Sequence, residues 1–118
     1  MVTIDLFRKE DQHDVFRQGQ TIFSEGEAGH VMYVVIEGEV ELRLKGRVVE
    51  TLGPGGALGE MSLVDEAPRS ASAVAKTDCK LVAIDERRFN FLVQQTPRFA
   101  IQVMRVLADR LRRMNGRL

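Results

Sequence analysis

"GALGEMSLVDEAPRSASA", residues 56–73, carries one acid, Glu60, directly after a glycine and one base, Arg69, directly after a proline. Asp65 and Glu66 lie between them, and glycine, serine and alanine frame both charges. A surface ion pair needs no such framing, whereas a ligand that approaches the backbone does. Pro68 fixes the chain at the entry to Arg69 and removes an amide donor. Arg69 offers a planar fork of donors suited to a phosphate. Ser70, Ala71, Ser72 and Ala73 are small enough to let a ligand close. On the other arm, the glycine-rich loop into Gly59-Glu60-Met61 suits a short helical turn whose free N–H groups face an anion. A carboxylate repels phosphate, so Glu60 is expected to serve a neutral donor such as a ribose hydroxyl. The stretch reads as a sugar-phosphate site.

Upstream, glycines punctuate the chain at short intervals, and β-type runs lie between them: 21–23, 31–36, 40–44 and 48–52. "VELRL" (40–44) alternates, with Val40, Leu42 and Leu44 on one face and Glu41 and Arg43 on the other. "LKGRV" (44–48) reads as a tight hairpin turn at Gly46. Residues 70–75 and 80–85 supply two further strands. Many short, evenly spaced strands broken by glycine predict an antiparallel barrel or jelly roll.

Downstream the period changes. Residues 85–95 open with an acid suited to N-capping and continue as a short helix. Thr96-Pro97 then punctuates, with Thr96 the expected N-cap and Pro97 the expected first helical residue of a longer helix. On it Met104, Leu107, Leu111 and Met114 repeat at helical spacing, and Leu118 extends the stripe if the helix passes Gly116. The stripe is expected to pack on the barrel, to form a coiled-coil-like dimer seam, or both, since Ile101, Val103 and Val106 widen the apolar arc. The expected fold is mainly β with flanking helices. It is a single domain over 1–118, with an antiparallel β jelly-roll barrel over about 14–85 and C-terminal helices over about 86–115.

Composition narrows the function classes. The 118 residues suit one domain with a real core, and the net charge is zero. That balance hides an asymmetry: six arginines against Asp109 from residue 98 onward, and an equal acidic excess before it. A solvated helix face explains the arginines, because no recognition-helix pattern accompanies them, so no direct contact with nucleic acid is expected. No apolar run reaches membrane-spanning length, and the start is unlike a secretory signal. The single cysteine, Cys79, excludes an internal disulfide and points to the cytoplasm. His13 and His30 have no ligand-spaced partners, which excludes a clustered metal site of the cupin kind. Cys79 sits in a strand as an inert thiol, and the adjacent acid pairs occupy turns and helix starts. Neither an enzyme, a metal nor a cofactor is expected.

"GEMSLVDEAPRSASAVA" (59–75) is similar to the phosphate-binding cassette of cyclic nucleotide-binding domains. The family includes bacterial catabolite-activator-type regulators, regulatory subunits of cAMP-dependent kinases and cyclic-nucleotide-gated channels. The resemblance runs over nearly the whole chain: "FRQGQTIFSEGEAGHVMYVVIEGEVEL" (16–42) resembles the first hairpins, "LGPGGALGE" (52–60) the loop into the cassette, and 89–115 the terminal helices. It implies that Glu60 accepts the ribose 2′-hydroxyl beside the Gly59 backbone, while Arg69 pairs with the cyclic phosphate. Ser70 and the Ala71 amide would complete that cradle, with Met61 and Ser72 in the same cassette. The purine would lie against Val49 and Leu58, and Met114 and Asn115 are the nearest positions for helix contacts to it. Two positions depart from the pattern: Leu58 stands where an aromatic is common, and His30 where an acid is frequent.

The resemblance implies a non-catalytic sensor of cAMP, favoured over cGMP, that relays its state through the last helix to an effector protein of unassigned identity. A homodimer through that helix is the second expected partner. The alternatives are a dimeric scaffold with degenerate or no ligand binding, or a piece of a larger transcription regulator or ion channel.

Overall fold

The computed structural model describes residues 2–116, so Leu118 and the end of the basic tail lie outside the described residues. Eight strands and three helices follow one another: β1 Asp14–Phe16, β2 Thr21–Phe23, β3 Val31–Glu37, β4 Val40–Leu44, β5 Arg47–Leu52, β6 Ala57–Leu58, α1 Glu60–Asp65, β7 Ser72–Ala75, β8 Cys79–Asp85, α2 Glu86–Gln95 and α3 Arg98–Asn115. The strands form two antiparallel four-stranded sheets, ordered β1-β8-β3-β6 and β2-β7-β4-β5. This is the expected jelly roll followed by a short and a longer helix. β1 and β6 are additions to the strands read from the sequence.

The contrast between "VMYVVI" and "VELRL" follows from what covers each sheet. β3 and β8 are the central strands of the first sheet, and both of its faces are covered. Met32, Val34, Val82 and Ile84 point to a core shared with Phe99, Val103 and Val106 of α3, with Leu63 of α1, and with Ile4 and Phe7 of the N-terminal segment. Val35, Cys79 and Leu81 point the other way, to a core between the sheets with Phe23, Val40, Leu52, Leu58, Ala73 and Ala75. A strand buried on both faces reads as a continuous apolar run, because neither side of the pleat meets water. β4 has only one covered face and therefore alternates.

Local chemistry sets the helix boundaries. Asp85 caps α2, its carboxylate accepting from the Arg88 amide at 2.8 Å. For α3 the boundary falls one residue later than expected. Pro97 is the N-cap and Thr96 lies outside the helix, its own amide bonded to the Leu92 carbonyl at 2.7 Å and its carbonyl accepting from Phe99. Thr96 thus closes α2 rather than opening α3.

The apolar stripe of α3 also needs correcting. Met104, Leu111 and Met114 are exposed, with 56%, 58% and 63% of their surface accessible, and Leu107 alone of the four packs against the core. The barrel-facing residues are instead Phe99, Val103 and Val106.

Candidate functional site

A cavity of about 300 Å³ opens between the second sheet, α1 and the C-terminal half of α3. Its apolar wall consists of Phe23, Leu42, Leu44, Val49, Met61 and Met114. Its charged residues are Glu50, Glu60, Arg69, Arg110 and Arg113, so three arginines against two glutamates leave one positive charge. Gly59, Ser62, Ser70 and Ala71 complete the lining.

Arg69 is held by the backbone. Its amide donates to the Glu27 carbonyl and its own carbonyl accepts from Gly26, both at 2.8 Å. Nη2 donates to the Val31 carbonyl at 2.7 Å and Nη1 to that of Gly59 at 3.1 Å, while Cζ lies 4.1 Å from the centre of the Phe23 ring. Two glycines make this approach possible. A Cβ on Gly29 would lie 2.4 Å from Arg69 Nε, and one on Gly59, which takes φ +77°, would lie 2.5 Å from Nη1. Arg69 is 7% exposed, its Nε has no partner, and no carboxylate comes within 4.0 Å of its guanidinium among the described residues. Burial therefore lowers its pKa, against the weaker opposing pull of Tyr33, Glu27 and Glu60.

Glu60, 1% exposed, does not pair with Arg69. Its partner is Arg110 of α3, whose Nη1 donates to Glu60 Oε1, while Glu60 Oε2 is buried with no partner. Arg110 also donates from Nη2 to the Ala57 carbonyl at 2.5 Å and from Nε to Glu50 Oε1 at 3.4 Å. Desolvation pulls the Arg110 pKa down, but Glu60 and Glu50 outweigh it and hold the group above the ordinary arginine value. Arg113 approaches the other oxygen of Glu50 at 3.7 Å and also binds Asp109 one turn back.

Sequence reasoning missed Glu50, Arg110 and Arg113. One signal was available: Phe99, Val103, Val106 and Arg110 follow one another at helical spacing, which puts a charge on the buried face of α3. A charge so placed requires a buried counter-charge. Glu50 has a different cause. β5 is paired to β4 with Leu42 opposite Glu50 and Arg43 opposite Val48, so Val49 is the extra residue of a β-bulge. The bulge breaks the alternation of faces, and Val49 and Glu50 both line the cavity.

The structure brings Gly59, Glu60, Met61, Arg69, Ser70, Ala71 and Val49 to this one cavity. It does not bring all the expected residues there. Leu58 is fully buried in the core between the sheets rather than facing a base. The Ser72 hydroxyl accepts from the Glu25 amide at 2.9 Å, and Ser72 is not part of the lining. Asn115 is exposed at the end of α3, and the helix reaches the cavity through Met114 instead. No group of metal-ligating side chains occurs, and no helix is long and apolar enough to cross a membrane, among the described residues.

Comparison with known proteins gives the same picture. Residues 13–96 match the cyclic nucleotide-binding domain. The cyclic AMP receptor protein of Thermus thermophilus is 40% identical over 114 residues, 92% of this chain and 53% of the relative. A CRP-like cAMP-activated global transcriptional regulator of Mycobacterium tuberculosis is 36% identical over 108 residues, 87% of this chain and 48% of the relative. The crystal structure of the Thermus thermophilus catabolite activator protein superposes with a TM-score of 0.83 at 39% identity, covering 96% of this chain and 55% of that one. The chain thus spans about half the length of the relatives it matches. With its two-sheet roll and a match over residues 13–96, the chain belongs to the cyclic nucleotide-binding domain family.

Proposed function

We propose that the cavity binds a cyclic purine nucleotide, with cAMP favoured over cGMP, and that the domain is a non-catalytic sensor that passes its state on through α3. The observation that carries this reading is a buried cation without a counter-anion in the same cavity as a buried carboxylate with an open oxygen. Arg69 Nε and Glu60 Oε2 are both buried and unpartnered. Buried polar groups are ordinarily satisfied, and two orphan atoms on residues that line one cavity support a ligand that supplies what each lacks. Arg69 lacks an anion and Glu60 lacks a neutral donor. A cyclic phosphodiester carries one negative charge and matches the single positive excess of the lining. A ribose hydroxyl supplies the donor, and Leu44, Val49 and Met114 offer an apolar wall for the base. The preference for adenine follows the names of the two bacterial relatives, both described by cAMP.

Relay through α3 follows from Arg110. The ligand's hydroxyl and Arg110 share Glu60, so occupancy changes the setting of a charged side chain that ties α3 to α1. Calorimetry on nucleotide-stripped protein with cAMP and cGMP side by side tests the site. Arg69→Ala is expected to weaken binding by about 2–4 kcal/mol, roughly 30- to 700-fold. Arg69→Lys, which keeps the charge and loses the fork, should fall between. Affinity unchanged by both substitutions refutes the site.

A second reading rests on the outer face of α3, where Ile101, Met104 and Leu111 are 44–58% exposed. Their spacing suits a helix–helix seam, and on this reading the domain works as a dimeric scaffold.

A further inference from the structure

A buried cation ordinarily meets a carboxylate. Arg69 meets none within 4.0 Å among the described residues, and its Nη1 and Nη2 donate to the backbone carbonyls of Gly59 and Val31. Carbonyls satisfy N–H groups but bring no net charge. An aromatic ring adds a further attraction. Cζ of Arg69 stands over Phe23, 4.1 Å from the ring centre, and the negative face of a π system attracts a cation, more strongly where water is excluded. The fold brings the two together through strand pairing: Phe23 closes β2 and stands opposite Ala73 of β7, four residues beyond Arg69. The inter-sheet core holds the ring, which is 8% exposed and stacked with Tyr33. An acid in the place of Phe23 would pair with Arg69, and an incoming anion would have to displace it. A ring is uncharged and offers an anion no such competition.

We propose that Phe23 is a positioning residue for Arg69: its π face stabilises the buried guanidinium in place without a counter-anion, and so leaves the charge to the phosphate of the ligand. Phe23 acts through Arg69 in this arrangement, although the ring also borders the cavity. Affinity then depends on the aromatic character of residue 23 and not only on its size. The inference rests on the cyclic nucleotide reading of the cavity for its ligand, but the contact between ring and guanidinium can be measured without one.

The test compares wild type, Phe23→Leu and Phe23→Tyr, and repeats Phe23→Leu in an Arg69→Ala background. Leucine keeps the site apolar and removes the π face, whereas tyrosine keeps the face. In titrations with cAMP followed by amide resonances, Phe23→Leu should weaken binding by about 3- to 30-fold, the range of a partly desolvated cation–π contact. Phe23→Tyr should stay within about twofold of wild type, a far smaller change than loss of the contact. In the Arg69→Ala background the leucine substitution should have little further effect, because the two residues act as one unit. A loss just as large without Arg69 makes the ring a direct ligand contact or a packing group and overturns the proposal, as does full affinity in Phe23→Leu. In nucleotide-free protein, the side-chain proton resonances of Arg69 should lie upfield through the ring current of Phe23. They should move to ordinary arginine positions in Phe23→Leu and remain upfield in Phe23→Tyr. Arg69 resonances indifferent to Phe23→Leu overturn the proposal as well. If the wild type takes neither cAMP nor cGMP, the reading of the cavity fails, and the resonances still decide whether Phe23 holds Arg69.

Discussion

Arg69 packs on an aromatic cluster that also contains the one tyrosine of the chain, so its surroundings have a spectroscopic reporter. Phe23, which stacks under the guanidinium, lies 6.4 Å from Tyr33 at an interplanar angle of 26°, and Phe16 meets Tyr33 edge-on at 6.2 Å. Burial raises the Tyr33 pKa above its usual 10.0; the Arg69 charge opposes this and Asp14 adds to it. A phenol whose folded pKa is raised binds its proton more tightly folded than unfolded. It therefore leaves stability unchanged below the ordinary tyrosine pKa and costs stability as pH rises past it. Following phenolate absorbance against pH should give a midpoint above 10.0 in native protein and near 10 in denaturant. A native midpoint at or below the denatured one removes burial as the dominant influence. At this scale the sequence was readable where a residue type is rare in its setting. An acid and a base in a run of tiny residues stand out, as Glu60 and Arg69 do. Arg110 is one of six arginines after residue 97, and Glu50 is one acid in a charged hairpin. Only the cavity singles them out.

Among the elements, α3 shows what patterning leaves open. Its apolar residues span a wide arc, and two faces were compatible with burial. The helix docks through Phe99, Val103 and Val106, with 0%, 3% and 4% exposure, and the same face carries Arg110 to Glu60. Val103→Ala should cost about 2 kcal/mol in denaturant unfolding, the usual range for a truncated core side chain. Met104→Glu on the opposite face should change monomer stability by no more than about 0.5 kcal/mol. Sedimentation of Met104→Glu beside wild type then separates the two readings of that face. A dimer that dissociates supports the seam, and an unaffected oligomeric state removes it. The long strands were legible because their period, continuous in β3 and alternating in β4, reports how many faces are covered. β1 and β6 were not, since three and two residues carry no period. They exist by pairing with β8 and β3, which are long enough to template them.

Over the whole molecule, the first sheet is the common wall of both cores. Alternate residues of β3 and β8 supply the helix-side core and the inter-sheet core. Loss of either core strips one face from the same two strands, so the two are expected to melt together in one transition. Cys79, at the first position of β8, is 2% exposed in the inter-sheet core, and burial, then Asp78, raises its thiol pKa. A thiol in that state reacts with neither alkylating nor disulfide reagents until the sheet opens. Its modification should therefore be negligible in native protein and should accelerate with denaturant in proportion to the unfolded population. Rapid native labelling contradicts the shared wall. Because no second cysteine competes for reagent, this one atom acts as an internal clock: the half-life of a free thiol reports how often the entire roll comes apart.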